Sequence, residues 1–205
     1  MNILAVDATE DALSVALQAG GEVFSVLGRP EQAHDELLLP RVGRLLARAG
    51  ISFDRLDGIA AASGPGRFTG IRIGMAFAAV AGRQCGKPAL AISRLEAAAW
   101  SIEGKIVAPV IPGWREERYY QVFRRGARGL RPFGPPQWAR AEDWPRIQAE
   151  LEGQGAVVGE STPRARDILG PALARLSSDK LPAFEPLYLK PAGYERKAHP
   201  PRPAR

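Results

Sequence analysis

Ser63-Gly-Pro-Gly-Arg-Phe-Thr-Gly-Ile-Arg-Ile-Gly74 joins a tight loop to the start of an apolar helix. Gly64, Pro65 and Gly66 punctuate the chain, because they hold backbone angles that most residues avoid. The apolar run Gly58 to Ala62 before them reads as a buried strand. After them a helix is expected from about Gly70 to Gly82, with Thr69 as its N-cap. Gly70, Gly74, Ala78 and Gly82 recur every fourth residue and form one small-residue stripe. Each glycine costs roughly 1 kcal/mol against alanine in a helix interior. Close packing against another helix is the expected compensation.

A strand, a glycine-rich loop and a helix N-terminus can also cradle phosphate. The P-loop pattern needs a lysine, and none lies between Ile51 and Gln84. The dinucleotide pattern fails too, because Thr69 stands where its third glycine belongs. A structural and interface role is the better reading of this loop.

Upstream, Asn2 to Val6, Leu13 to Leu17 and Glu22 to Leu27 read as strands, with Gly20-Gly21 as a hairpin turn. His34 to Ala49 reads as a helix with Leu38, Val42, Leu45 and Ala49 on one face. Gly50 closes it. Downstream come a strand from Pro88 to Ile92 and a helix from Arg94 to about Ile102, capped by Ser93 with Glu96 completing a capping box. The order β-β-β-α-β-α-β-α is that of a ribonuclease-H-like half, the repeating unit of the actin and Hsp70 architecture.

Beyond Gly104 the second part is smaller. It reads as strands at Lys105 to Ile111, Arg118 to Phe123 and Ala156 to Gly159, and a short helix at Asp143 to Leu151. Gly126 to Pro136 reads as an irregular connector, Thr162 to Leu176 as weakly helical and Pro182 to Lys190 as extended. The expected division is a first lobe over 1–103, a reduced second lobe over 104–192 and a disordered tail over 193–205.

The 205 residues can bury a substantial core. One cysteine, Cys85, excludes an internal disulfide. No signal peptide and no membrane span are evident, so a cytoplasmic protein is expected. The net charge of +6 comes from 28 basic residues, mostly arginine, against 22 acidic ones. It leans toward a polyanionic partner, although a high-GC genome also enriches arginine. The excess is strongest from Arg115 to Arg140 and in the tail.

Catalytic chemistry is hard to find. Asp7 and Thr9 follow the first strand, where an actin-like ATPase places its first phosphate loop, but Asp7-Ala-Thr-Glu-Asp11 contains no glycine. His34 and His199 stand far apart, and no metal-ligand spacing occurs. Cys85 has no evident base, and Ser63 is not in a nucleophile elbow.

Ile3 to Asp7, His34 with Leu37-Leu-Leu-Pro40, Gly64 to Gly74 and Glu185-Pro-Leu-Tyr-Leu-Lys190 together resemble the bacterial TsaB (YeaZ) family. The resemblance runs from residue 2 to about 190. Arg67 stands where the family usually has serine. Ile111-Pro-Gly-Trp-Arg-Glu-Glu-Arg-Tyr119 replaces the family's usual Asp-Ala-Arg segment. The resemblance implies an α/β, two-lobed actin/Hsp70-like fold with a reduced second lobe, in a non-catalytic subunit. Its implied task is to support TsaD, which transfers threonylcarbamoyl to the adenosine beside the anticodon of tRNA. TsaE would join the complex. ATP and metal are expected on those partners, with no cofactor of this chain's own.

The implied heterodimer surface comprises two helices, with His34, Leu38, Val42, Leu45, Gly70, Gly74, Phe77 and Ala78 as its residues. A homodimer in isolation would use the same surface. On this expectation Gly74→Leu blocks association and leaves the monomer folded. The contrasting readings are an independent ATP-dependent transferase or kinase of the same superfold, and an RNA-binding module.

Overall fold

A computed structural model describes residues 1–29, 33–127, 129–178 and 181–190. The first sheet has the order β3-β2-β1-β4-β5. Its strands are β1 (Ile3–Asp7), β2 (Ser14–Ala19), β3 (Glu22–Leu27), β4 (Gly58–Ala62) and β5 (Ala89–Ile92). The first three form the expected antiparallel meander, and β4 and β5 add in parallel. Gly20 and Gly21 both take positive φ, which a two-residue turn between right-twisted strands requires. β1 and β4 are buried along their whole length, as continuous apolar runs in the middle of a covered sheet should be.

Period-two alternation divides the core between the two faces of this sheet. Leu4, Val6, Ile59 and Ala61 face α1 (His34–Ala49) and α2 (Phe68–Cys85). Ile3, Ala5, Ala60 and Ala62 face α5 (Ala165–Leu176), with Ala97 of α3 (Arg94–Trp100) beside them. The expected 1–103 boundary therefore does not follow the packing. α5 comes late in the chain yet covers the first sheet, because Ala165, Ile168, Leu169 and Ala172 at helical spacing need an apolar face.

The second sheet is built from β6 (Ile106–Pro112), β7 (Arg118–Tyr120), β8 (Phe123–Gly126), β9 (Gly129–Pro132), β10 (Gln137–Ala139) and β11 (Val157–Glu160). β7 and β8 pair with β6 in one continuous register, so they are a single strand interrupted at Gln121 and Val122. β11 adds in parallel on the other side of β6. The expected irregular connector after Gly126 instead contains β9, paired with β8 as a hairpin. Opposite the interruption, Phe133 to Pro136 bulge outward, held by Gln121 Nε2 donating to Gly134 O at 2.9 Å. α4 (Trp144–Gly153) covers one face, and Leu95 and Ala99 of α3 pack on Val107, Ile111 and Phe123 of the other. The second lobe thus carries one helix of its own and borrows α3. β11 is half exposed, because it is an edge strand.

Ser63 to Gly66 are not free to meet a ligand. Thr9 O accepts from Arg67 N at 2.8 Å, and Ser63 O accepts from Leu187 N at 2.7 Å. Gly64 sits at φ +111°, and a Cβ there would lie 2.6 Å from Leu187 O, so both conformation and space demand glycine. Residues 181–190 form no regular element, but they strap this loop down, with Tyr188 stacked on Phe68 at 4.9 Å between centroids. The helix begins at Phe68 rather than Gly70, and Arg67, not Thr69, is its N-cap residue. Ser93 does cap α3, accepting from Leu95 N at 3.2 Å, whereas Glu96 pairs with Arg175 of α5. No helix among the described residues is long and apolar enough to cross a membrane. The expected disordered tail and His199 lie outside the described residues.

Candidate functional site

Two places have the makings of a site: the turn after β1, where an actin-like enzyme holds phosphate, and the outer face of α1 and α2. In the turn, Asp7 is almost fully buried. Its Oδ1 accepts from Thr9 N at 2.8 Å and from Thr9 Oγ1 at 2.6 Å, an Asx-type closure of the turn. Across from it stands Arg94, 1% exposed, the largest fully buried side chain among the described residues. Its Nε lies 3.5 Å from Asp7 Oδ2, and its Nη1 lies 2.5 Å from Glu10 Oε1. Nη1 also donates to Pro65 O at 2.9 Å, and Nη2 donates to Pro163 O at 3.4 Å.

One internal guanidinium therefore neutralises the acidic turn and ties it to the Gly-Pro-Gly loop and to the chain leading into α5. Arg94 is thereby committed to protein partners rather than held free for a phosphate. The cavity beside it, lined by Asp7, Glu10, Asp11 and Arg164, measures about 180 Å³. Small-molecule sites usually offer roughly 300 Å³ or more. No group of three or more potential metal ligands occurs among the described residues. Sequence reading passed over Arg94 because a helix-start arginine ordinarily points to solvent.

The α1–α2 face has the opposite character. An apolar groove of about 560 Å³ runs between the helices, with Leu38 and Leu39 on one wall and Ile73, Phe77, Val80 and Ala81 on the other. Leu39 is 64% exposed and Val80 70% exposed, large apolar groups left in water. Leaving such side chains exposed forgoes about 1.5–3 kcal/mol each.

The expected interface residues divide sharply. Leu38 and Phe77 line the groove. Val42 and Leu45 lie beneath it in the core. His34 stands at the start of α1, its Nε2 2.9 Å from Asp11 O. The small-residue stripe faces the other way. A Cβ on Gly70 would lie 1.8 Å from Ala8 O, and one on Gly74 would meet Val6 and Ala61 at 3.8 and 4.0 Å. Ala78 is fully buried. The stripe lets α2 settle onto its own sheet, and the opposite face of the helix carries the groove.

Leu39, Ile73 and Val80 were not anticipated as surface residues. The signal was available, since a helix apolar all round is covered on every side. Only one side of α2 is covered here.

The chain matches, over residues 29–151, the family model described as TsaD, tRNA N6-adenosine threonylcarbamoyltransferase. It is 31% identical over 133 residues to the tRNA threonylcarbamoyladenosine biosynthesis protein TsaB of Haemophilus influenzae, a match covering 62% of this chain and 56% of that protein. The chain spans about half the length of the curated relatives it matches. A Pseudomonas aeruginosa structure described as similar to the peptidase YEAZ superposes with a TM-score of 0.75 at 25% identity, covering 92% of this chain and 99% of that one. YeaZ from the same organism gives a TM-score of 0.70 at 27% identity, covering 91% and 100%.

Proposed function

This chain belongs to the TsaB (YeaZ) branch of the tRNA threonylcarbamoyltransferase family, and from that premise we propose that it is a non-catalytic subunit in the biosynthesis of threonylcarbamoyladenosine on tRNA. Its task is to pair with TsaD, which carries out the transfer to the adenosine beside the anticodon (adenosine 37), with TsaE joining the assembly. ATP and metal belong to those partners. The observation that carries this reading is the α1–α2 groove, whose exposed Leu39 and Val80 await a partner's apolar helices. The interface residues we assign are Leu38, Leu39, Ile73, Phe77, Val80 and Ala81, and a homodimer of the isolated chain uses the same face. Arg94 supports the non-catalytic role, because it occupies the turn that an ATP-dependent relative would use for phosphate.

The test is reconstitution with one component omitted. TsaD, TsaE, ATP, threonylcarbamoyl-adenylate and tRNA are combined with and without this chain, and modified adenosine is quantified. Repeated turnover only in its presence is expected; equal product without it refutes the accessory role. Val80→Asp, which places a charge in the groove, should weaken TsaD binding about 10- to 100-fold at unchanged melting temperature.

A further inference from the structure

The arginines of the second lobe are not scattered. From Arg118 to Ala141 the sequence holds six arginines, while all 22 acidic residues of the chain lie outside this stretch. Compositional drift toward arginine would leave acids interspersed. The centre of the stretch is the β8–β9 hairpin, where Arg124 and Arg131 are direct cross-strand partners. Their side chains therefore leave the same face of the sheet. Both are exposed, and neither joins an ion pair among the described residues.

Like charges directly opposite one another destabilise a strand pair, and no carboxylate among the described residues pairs with either of them. The Arg124 guanidinium lies 3.4 Å from the centroid of Phe133, a ring itself 49% exposed. The stack holds the guanidinium in place and leaves its N–H edges outward. Arg125 points elsewhere, donating to Ala99 O at 3.3 Å and Ile102 O at 2.8 Å, so it pins the hairpin to the end of α3. The hairpin thus presents two unneutralised guanidinium forks beside an exposed aromatic ring. Planar forks of this kind match phosphate oxygens bidentately, and aromatic faces accept bases.

We infer that the β8–β9 hairpin docks the sugar–phosphate backbone of tRNA, through Arg124 and Arg131. The choice of tRNA among polyanions rests on the function proposed above; the charge pattern itself does not. The surface is separate from the α1–α2 groove, so the two assignments fail independently.

The experiment is a fluorescence-anisotropy titration of an unmodified tRNA transcript across a range of salt concentrations, with the full chain alone and with TsaD. Arg131→Glu sets an opposite charge beside Arg124, so its melting temperature should not fall. Its tRNA affinity should drop about tenfold, with a salt slope shallower by about 2, since one contact is lost and Arg124 is engaged by the new carboxylate. Arg146→Glu on α4 makes the same charge change elsewhere and should leave affinity within about twofold. Val80→Asp should leave tRNA binding by the chain alone intact. Equal losses in the Arg131 and Arg146 variants mean that net charge, not the hairpin, attracts RNA. That result overturns the inference, as does unchanged binding by Arg131→Glu in both settings. Loss of TsaD binding with unchanged tRNA binding would make the hairpin a protein contact and overturn it equally.

Discussion

Gly70 and Gly74 lie one turn apart on the same helix stripe, yet alanine should have opposite effects at the two positions. At Gly70 the new methyl carbon would sit 1.8 Å from Ala8 O and 2.7 Å from Ala8 C, both backbone atoms of the turn after β1. Relief to an ordinary contact of about 3.5 Å needs a backbone shift of more than about 1.5 Å. That turn is itself held by Asp7, Thr9 and Arg94. Overpacking costs about 1–3 kcal/mol and sometimes more, while the gain in helix propensity is about 1 kcal/mol. A net loss of about 2 kcal/mol corresponds to roughly 4–8 °C in melting temperature for a chain of this length. At Gly74 the nearest atoms stand at 3.8 and 4.0 Å, ordinary contact, so only the propensity gain remains. Gly74→Ala should raise the melting temperature by about 2–4 °C. Thermal melts by circular dichroism decide the matter. A harmless Gly70→Ala, or a Gly74→Ala that loses TsaD binding while staying folded, would mean that the stripe faces a partner and would refute the packing described here. For the same reason Gly74→Leu no longer tests the interface, because the larger side chain would be driven into Val6 and Ala61 and destabilise the monomer itself.

Replacing Arg94 with methionine strands the buried Asp7 carboxylate and should cost about 3–5 kcal/mol, seen as a melting temperature lower by roughly 6–20 °C. Adding Asp7→Asn should recover part of that loss, and a single variant within about 2 °C of wild type would refute the role given to the buried pair. Burial raises the Glu96 carboxyl above the ordinary glutamate range, with Arg175 pulling it partly back. The folded state therefore holds that proton more tightly than the unfolded chain. The stabilising contribution is present below the unfolded-state pKa and is lost as pH rises through the folded one. Wild type should accordingly lose stability relative to Glu96→Gln as pH rises above the ordinary glutamate value of about 4.3, and a flat or growing difference in melting temperature would refute the shift.

Much of the first lobe was legible in the sequence. Asn2 to Val6 is a continuous apolar run, the two strands after it are joined at paired glycines, and His34 to Ala49 keeps one apolar face up to Gly50, so local rules suffice for the meander and α1. The family could be read from Gly64 to Gly74. What could not be read was direction. Spacing groups Gly70, Gly74 and Ala78 on one face of α2 but does not say which neighbour that face meets; the sheet beneath it does. Nor does spacing show that Arg94 turns inward to Asp7, that α5 returns to the first sheet, or that Arg124 and Arg131 stand opposite one another. Local periodicity depends on residues three or four apart in the chain, whereas a partner is chosen by contacts among residues tens of positions apart, and those exist only once the chain has closed on itself.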